Sequence, residues 1–288
     1  KWYRLMKKET IIGIDLGATN IRGASVNENN ISEIRSQRIR SQGAEQEVLE
    51  DVFALTDKLI DKKIAAIGIG VPSVVDVEEG IVYDVVWIPS WKEVHLKKKM
   101  EERYHIPVYV NNDANCFALG EHYFGKGMGY GSMIGLTLGT GVGGGVIINK
   151  KLYSGRNCGA GEFGCVDYLD NVYEHYCSGS FFKNVYGLNG EEVFQKAKQH
   201  DPKSLELYKE LGIHLGNAIK MILYTYDPEL IVLGGSVRLA YQYFQETMWE
   251  RVHTCLFSKS AERLKVEVSE LENSGILGAA ALYYDAVQ

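Results

Sequence analysis

Twice in this chain a β-rich hairpin closes on a turn made almost wholly of Gly, Ala and Thr, and this repeat limits the fold more than any other feature. The first copy is TIIGIDLGATNIRGASVN, with extended runs at Thr10 to Asp15 and Asn20 to Val26. The second is SMIGLTLGTGVGGGVIINKKLYSG, again strand, glycine turn, strand. β-Branched runs flanking a small-residue turn are hairpin signals. After the first hairpin, Val48, Val52, Leu55 and Leu59 recur at helical spacing and predict a helix from about Glu45 to Lys62. KIAAIGIGVPSVVD predicts a buried strand ending in a turn at Pro72–Ser73, and IPVYVNNDAN another strand. NDANCFALGEHYF opens a helix behind a run of capping residues. After the second hairpin, Leu207, Leu211, Leu215, Ala218, Ile222 and Tyr226 stripe a long helix from about Lys203, which Pro228 stops. ELIVLGGSV reads as a short buried strand running into a glycine turn, and NSGILGAAALYYDA as a small-residue helix. The repeat is far too long for a solenoid. The chain therefore reads as two related α/β units, with GKGMGYG as a linker and the boundary near Ala118 to Gly131.

The length, 288 residues, leaves room for two such units, each with its own core. A formal charge of −6 argues against non-specific nucleic-acid binding, which needs a basic surface. It leaves a polyphosphate ligand open, because backbone N–H groups bind phosphate without any lysine. No apolar run is long enough for a membrane span, and Asp15 interrupts the N-terminal one before it could serve as a signal peptide. Five cysteines, an odd number, are scattered along the chain. Without an export signal they read as free thiols in a reducing cytoplasm.

Two glycine motifs mislead. GEHYFGKG, Gly120 to Gly127, matches most of a P-loop, but it follows a helix and lacks the Ser or Thr after Lys126. GTGVGG, Gly139 to Gly144, matches a dinucleotide fingerprint, yet the β-branched GVIINK follows where a helix is required. What survives is the turn itself. Glycine lets the backbone approach a ligand and aim its N–H groups at it, and Thr19 and Thr140 add hydroxyl donors. Two such turns could hold a polyphosphate. Ordinary tight hairpins would not need LGTGVGGG.

Two carboxylates sit where chemistry would want them. Asp15 ends a strand beside the first turn and could hold a hydrated Mg2+, or simply form the turn. Asp113 lies between a strand end and a helix start. It could cap the helix, but Asn111, Asn112 and Asn115 suit that role equally. Four polar groups at one strand end suggest a pocket in which a carboxylate accepts the proton of an attacking hydroxyl.

DLGATN, NND, LGTGVGGG, IVLGGS and GILGAAAL occur in the order and spacing of the sugar-kinase branch of the actin-like ATPase superfamily. More narrowly, from about Thr10 to the C-terminus, the chain resembles the ROK family of sugar kinases and sugar-responsive repressors. The resemblance implies two ribonuclease-H-like domains, residues 9–118 and 119–275, with an interdomain active-site cleft and a C-terminal helix, about 276–288, packing back on the first. Asp15, Gly17, Ala18, Thr19 and Asn20 would belong to the first phosphate loop, Asp15 reaching Mg2+ through water. Gly139, Thr140, Gly141 and Gly143 would form the second loop, and Gly234, Gly235 and Ser236 would border the adenine of ATP. Asp113 would be the general base. Asn112, Glu162 and Glu174 would bind the sugar, with Ser73 in the family turn Gly-x-Pro, written here GVPSVVD.

Many relatives place zinc between the two glutamates, using the histidine of Glu-x-Gly-His and a cysteine cluster. Here Cys165 replaces that histidine and takes its place among the sugar contacts, and VDYLDNVY replaces the cluster. Cys158, Cys165, His175 and Cys177 include no Cys-x-x-Cys pair. A zinc-free variant of the loop is expected. Trp87, where relatives tend to carry a polar residue near the sugar, is a second departure.

The expectation is an ATP- and Mg2+-dependent kinase of the 6-hydroxyl of a hexose, glucose first, cytoplasmic and homodimeric, with no nucleic-acid or membrane partner. The alternatives are a kinase of another hexose or N-acetylhexosamine, and a non-catalytic sugar-binding regulator. Only nine residues precede Thr10, too few for the winged-helix domain of the repressor branch.

Overall fold

The computed structural model describes residues 9–28 and 30–287. The N-terminal residues before Glu9, and Gln288 at the end of the expected last helix, lie outside the described residues. Packing divides the chain into two compact units. One runs to Gly129 and takes up Gly145–Ala160 and the chain from Leu271; the other comprises Tyr130–Gly144 and Gly161–Glu270.

In the first unit, β1 (Thr10–Leu16) and β2 (Asn20–Asn27) form the antiparallel hairpin, in register from Ile11↔Val26 to Leu16↔Ile21. The outer edge of β2 pairs with β3 (Arg35–Arg38) and with Asn30–Ile31. On the other side β1 pairs in parallel with β4 (Ile64–Val71), and β4 with β5 (Val108–Asn112). Parallel strands are covered on both faces, which is why β4 reads as the unbroken apolar run IAAIGIGV.

Helix α1 (Glu45–Thr56) buries Val48, Val52 and Leu55, and Glu47 accepts the Ala44 N–H at 2.8 Å in a capping-box contact. It is shorter than the periodicity predicted. Beyond Thr56 the Leu59 and Ile60 N–H groups both turn back to the Thr56 carbonyl, so the chain leaves the helix and still buries part of Leu59. Helix α2 (Leu96–Tyr104), which the sequence patterns did not single out, packs against β5. Helix α3 (Asp113–Phe124) follows β5 directly, capped by the Asn112 side chain on the Ala114 N–H at 2.9 Å.

In the second unit β6 (Met133–Leu138) turns into β7 (Val142–Ile148) and pairs in parallel with β9 (Leu230–Gly234), which pairs with β10 (Lys265–Val268). From Gly145 onward β7 is grouped with the first unit, where it makes a hairpin with β8 (Lys151–Leu152). Each sheet is thus a hairpin flanked by two further parallel strands. This is the mixed α/β fold expected of ribonuclease-H-like domains. Four helices precede β9: α4 (Tyr173–Cys177), α5 (Phe181–Tyr186), α6 (Gly190–Lys198) and α7 (Pro202–Tyr226). Asp201 caps α7 on the Ser204 N–H at 2.8 Å, with Pro202 in the first turn. Helix α8 (Tyr241–Val252) lies along α7, and the short α9 (Ser258–Arg263) leads into β10.

The last helix, α10 (Ser274–Val287), belongs to the first unit and packs on α3, β1 and β4. It lies backbone to backbone against the sheet. A Cβ on Gly68 of β4 would overlap the Ala279 carbonyl, and one on Gly278 the Cys116 carbonyl of α3. Neither obstacle is a flexible side chain. Gly68→Ala should therefore cost about 1–3 kcal/mol, the usual range for overpacking a filled core. Urea unfolding will read this as a lower midpoint, with Gly159→Ala, whose Cβ would meet nothing within 4 Å, as the near-neutral control.

Candidate active site

The expected residues fall on both units. In the first, Asp15 is the penultimate residue of β1, half-buried, with Arg22 of β2 opposite it in register. The Arg22 Nη2 donates to Asp15 Oδ2 at 2.7 Å. A Cβ on Gly275, at the start of α10, would stand 2.9–3.2 Å from the carboxyl atoms, so glycine there keeps the carboxylate's space open. In the turn that follows, the Gly17 N–H donates to the Asn20 carbonyl at 3.0 Å; Ala18 is half-buried, and Thr19 and Asn20 are exposed.

The strand end Asn111–Asn112–Asp113 forms a second group. Asn112 Nδ2 donates to the Ser73 carbonyl at 3.3 Å. Asp113 is exposed at the N-terminus of α3, and its Oδ1 accepts the Ala114 N–H at 2.9 Å. A helix N-terminus favours the ionised carboxylate there. Beneath it Cys116 is fully buried, and burial, then the charges of Asp113 and Asp15, push its thiol well above the usual range. Ser73 is half-buried, and its hydroxyl donates to the Tyr83 carbonyl. It borders a cavity of about 460 Å3 that also takes in Asp76, Asp84, Arg156 and Asn157, none of which the sequence patterns singled out. Trp87 is exposed nearby in the chain.

In the second unit the glycine turn is cross-braced. The Gly139 N–H donates to the Gly141 carbonyl at 3.0 Å, Gly179 N–H to the Gly139 carbonyl at 2.7 Å, and the Ser180 hydroxyl to the Thr140 carbonyl at 2.7 Å. Glu174 accepts the Val142 N–H at 2.9 Å, and a Cβ on Gly141 would reach Glu174 Oε2 at 2.5 Å. Turn and glutamate are therefore one assembly. Glu162 is exposed, within 3.8 Å of the Cys165 thiol. Crowding by surrounding protein raises its carboxyl pKa; the thiol opposes the shift and the charge of Glu174 adds to it. Gly143 lies in β7, its carbonyl accepting the Thr137 hydroxyl at 3.2 Å. Gly234 ends β9, and Gly235 (φ 74°) turns so tightly that a Cβ would overlap the Leu138 backbone.

Gly139, Thr140 and Ser236 meet in a cavity of about 290 Å3 with Phe182, Glu191 and Tyr208. The last three come from α5, α6 and α7, and nothing local in the sequence marked them. The aromatic rings and the short Phe-Phe run were visible, but their convergence depends on how three helices pack.

The ROK family model matches residues 11–286. This chain belongs to the ROK family. Among relatives of the ROK chain, a glucokinase of Thermotoga maritima is 27% identical over 98% of this chain and 99% of its own. A xylose repressor of Bacillus subtilis is 26% identical over 95% of this chain and 77% of its own. A ROK glucokinase of Streptomyces griseus, solved with glucose and AMPPNP, superposes with a TM-score of 0.77 at 27% identity, covering 95% of this chain and 98% of that one.

In this ROK chain Gly120–Phe124 is the end of α3, so the P-loop-like lysine follows a helix C-terminus, and Gly139–Gly144 runs into a strand. Among the described residues, no group of three or more His, Cys, Asp or Glu is disposed to hold a metal ion. Cys158 belongs to the first unit; Cys165, His175 and Cys177 belong to the second. No described helix is long and apolar enough to cross a membrane.

The segment between Glu162 and Glu174 is held by an aromatic clamp that the sequence patterns did not reveal. Asp167–Tyr168 and Asn171–Val172 pair as a tiny hairpin. The Tyr168 ring stacks on Tyr173 at 4.3 Å between centroids and 12° between planes. Its hydroxyl lies 3.1 Å from His214 Nδ1 and accepts from Asn217 Nδ2 at 2.8 Å. Both partners sit on α7, more than 40 residues away, on a helix read from sequence for its leucines.

Burial lowers the His214 pKa, while Glu210, 3.6 Å from Nε2, pulls the other way. A histidine depressed in the folded state binds fewer protons there than when unfolded. Stability is then lost as pH falls through the unfolded value, about 6.5. His214→Gln should flatten the decline in thermal midpoint between pH 7.5 and 5.5 relative to the parent chain.

Proposed function

We propose that this chain is an ATP- and Mg2+-dependent kinase that transfers the γ-phosphoryl group to the 6-hydroxyl of a hexose, with glucose as first candidate. The observation carrying this reading is the Asp113 carboxylate, exposed at a helix N-terminus directly after the sugar-binding candidate Asn112. An exposed carboxylate at a strand end is a suitable acceptor for the proton of a substrate hydroxyl, which supports this reading. As the 6-oxygen attacks phosphorus, its proton passes to Asp113, and ADP leaves with the electrons of the broken P–O bond.

Loose phosphoryl transfer depends chiefly on positioning and charge neutralisation. Asn112 has its oxygen committed to capping α3 and one amide hydrogen to Ser73, which leaves the other hydrogen for a sugar hydroxyl. Glu162 and Glu174 accept further hydroxyls, with Cys165 beside Glu162. The Ser73 hydroxyl is turned to Tyr83, so Ser73 contributes as an acceptor or through its backbone. Amide groups of Ala18, Thr19 and Thr140 hold phosphate oxygens, and Gly234, Gly235 and Ser236 border the adenine. Asp15 suits Mg2+ held through water: it is a hard oxygen donor with Oδ2 on Arg22 and Oδ1 left over. That ion would neutralise charge on the phosphates. The reading extends to a cytoplasmic homodimer.

Xylose repressors among the relatives favour a second reading, a sugar-binding regulator without turnover. ADP release with Mg-ATP separates the two, across glucose, mannose, fructose, allose, N-acetylglucosamine and N-acetylmannosamine. Turnover on one sugar, reduced roughly 10²- to 10⁴-fold in Asp113→Asn with an unchanged thermal midpoint, is the expected result. Near-normal turnover in the variant would remove Asp113 as base. Sugar binding without ADP release on any sugar would support the regulator.

A further inference from the structure

Cys158 has a backbone conformation that side chains avoid and a buried thiol with specific partners. Its φ is +58°, in the left-handed region, and it is only 2% exposed. A residue of this kind persists where its surroundings over-determine it. Here the surroundings are the polar strand end of β5. The Cys158 thiol donates to Asn111 Oδ1 at 3.1 Å, and Asn115 Nδ2 reaches its sulfur at 3.4 Å.

Asn111 is the hub of that group. Its Oδ1 also accepts the Asn112 N–H at 2.8 Å and Asn115 Nδ2 at 2.9 Å, and its Nδ2 donates to the Ser154 hydroxyl at 3.2 Å. Ser154 and Cys158 thus grip one amide from both ends of the loop Ser154–Cys158. The backbone amide of Asn112 hangs on the oxygen that Cys158 touches. Asp113 is the next residue, so the direction in which the chain leaves β5 and enters α3 depends on this amide.

We propose that Cys158 is a positioning residue for Asn112 and Asp113, holding the Asn111 amide through its thiol so that both side chains keep their aim. The role needs a small, buried hydrogen-bond donor at a left-handed position. Cysteine supplies the donor despite the backbone conformation; glycine would suit the backbone but lacks the donor. The proposal rests on the kinase reading only for its catalytic consequence.

Substitution separates positioning from simple support. Cys158→Gly relaxes the backbone while deleting the donor, so its thermal midpoint should stay close to that of the parent chain. Its kcat should nevertheless fall on the order of ten- to a hundredfold, the penalty of a misplaced reacting group. Cys158→Ser restores an O–H donor and should return kcat to within about threefold, in line with the modest cost of exchanging one hydrogen-bond donor for another. Amide hydrogen exchange of the segment 108–116 supplies a readout that needs no substrate: faster in the glycine variant, at parent level in the serine variant. If the parent chain turns over no sugar, the kinase reading fails and the exchange comparison still decides this proposal. Unchanged exchange and unchanged kcat in Cys158→Gly overturn it. So does equal loss in the glycine and serine variants, which would make the cysteine a matter of fit alone.

Discussion

Backbone lies directly on backbone in the first unit, and the placement of Asp15, Asn112 and Asp113 follows from that contact. Helix α10 touches the sheet at Gly13 and Gly68 and touches α3 at Gly120 and Gly278. With no side chain between them, the elements have no slack to shift by the length of a methyl group. Close packing of this kind transmits position, because interiors deform little. The C-terminal ends of β1 and β5 are thereby fixed relative to each other. Helix α10 supplies the carbonyls and small side chains, Ala279 to Ala281, that make this approach feasible.

A fixed frame matters because the groups it carries share the surroundings of one buried thiol. Asp15 and Asp113 both raise the pKa of the buried Cys116 thiol. Their charge is met locally by different means. Arg22 faces Asp15 across the hairpin, while the Ala114 N–H and the start of α3 face Asp113. In the second unit Glu174 is tied to the Val142 N–H, while burial and, less strongly, the charge of Glu174 raise the Glu162 pKa.

Much of this was legible in the chain because glycine and asparagine have narrow uses. The two Gly/Ala/Thr turns, the Asn-Asn-Asp strand end and the small residues of α10 carry their geometry in their own chemistry, and their elements fall close to where the patterns put them. Leu59 shows where pattern reading overshoots. It keeps helical spacing and is partly buried, yet the helix has already ended at Thr56 because the chain must turn into β4. Tyr168, His214 and Asn217 show what pattern reading cannot reach. Each has an ordinary local explanation, and only the packing of a hairpin against α7 brings them together. Arg156 and Glu191 were missed for the same reason: a charged residue acquires meaning from the cavity it borders.

The clamp at Tyr168 also bears on how the segment between Glu162 and Glu174 is held. Stacking, two hydrogen bonds and a hairpin fix it through several weak contacts. Weak contacts suffice because the segment is short and anchored at each end, by the Phe163–Cys165 turn and by α4. Gly144 lies against Phe163, and Gly141 against Glu174, so the glycine turn touches both anchors of the loop. A ligand drawing on the turn at Gly139–Gly141 therefore presses on the support of Glu174 through the Val142 amide. On the kinase reading, nucleotide and sugar would then feel each other through one peptide bond. Coupling of that kind is reciprocal: whatever a bound nucleotide does to sugar affinity, bound sugar must do to nucleotide affinity.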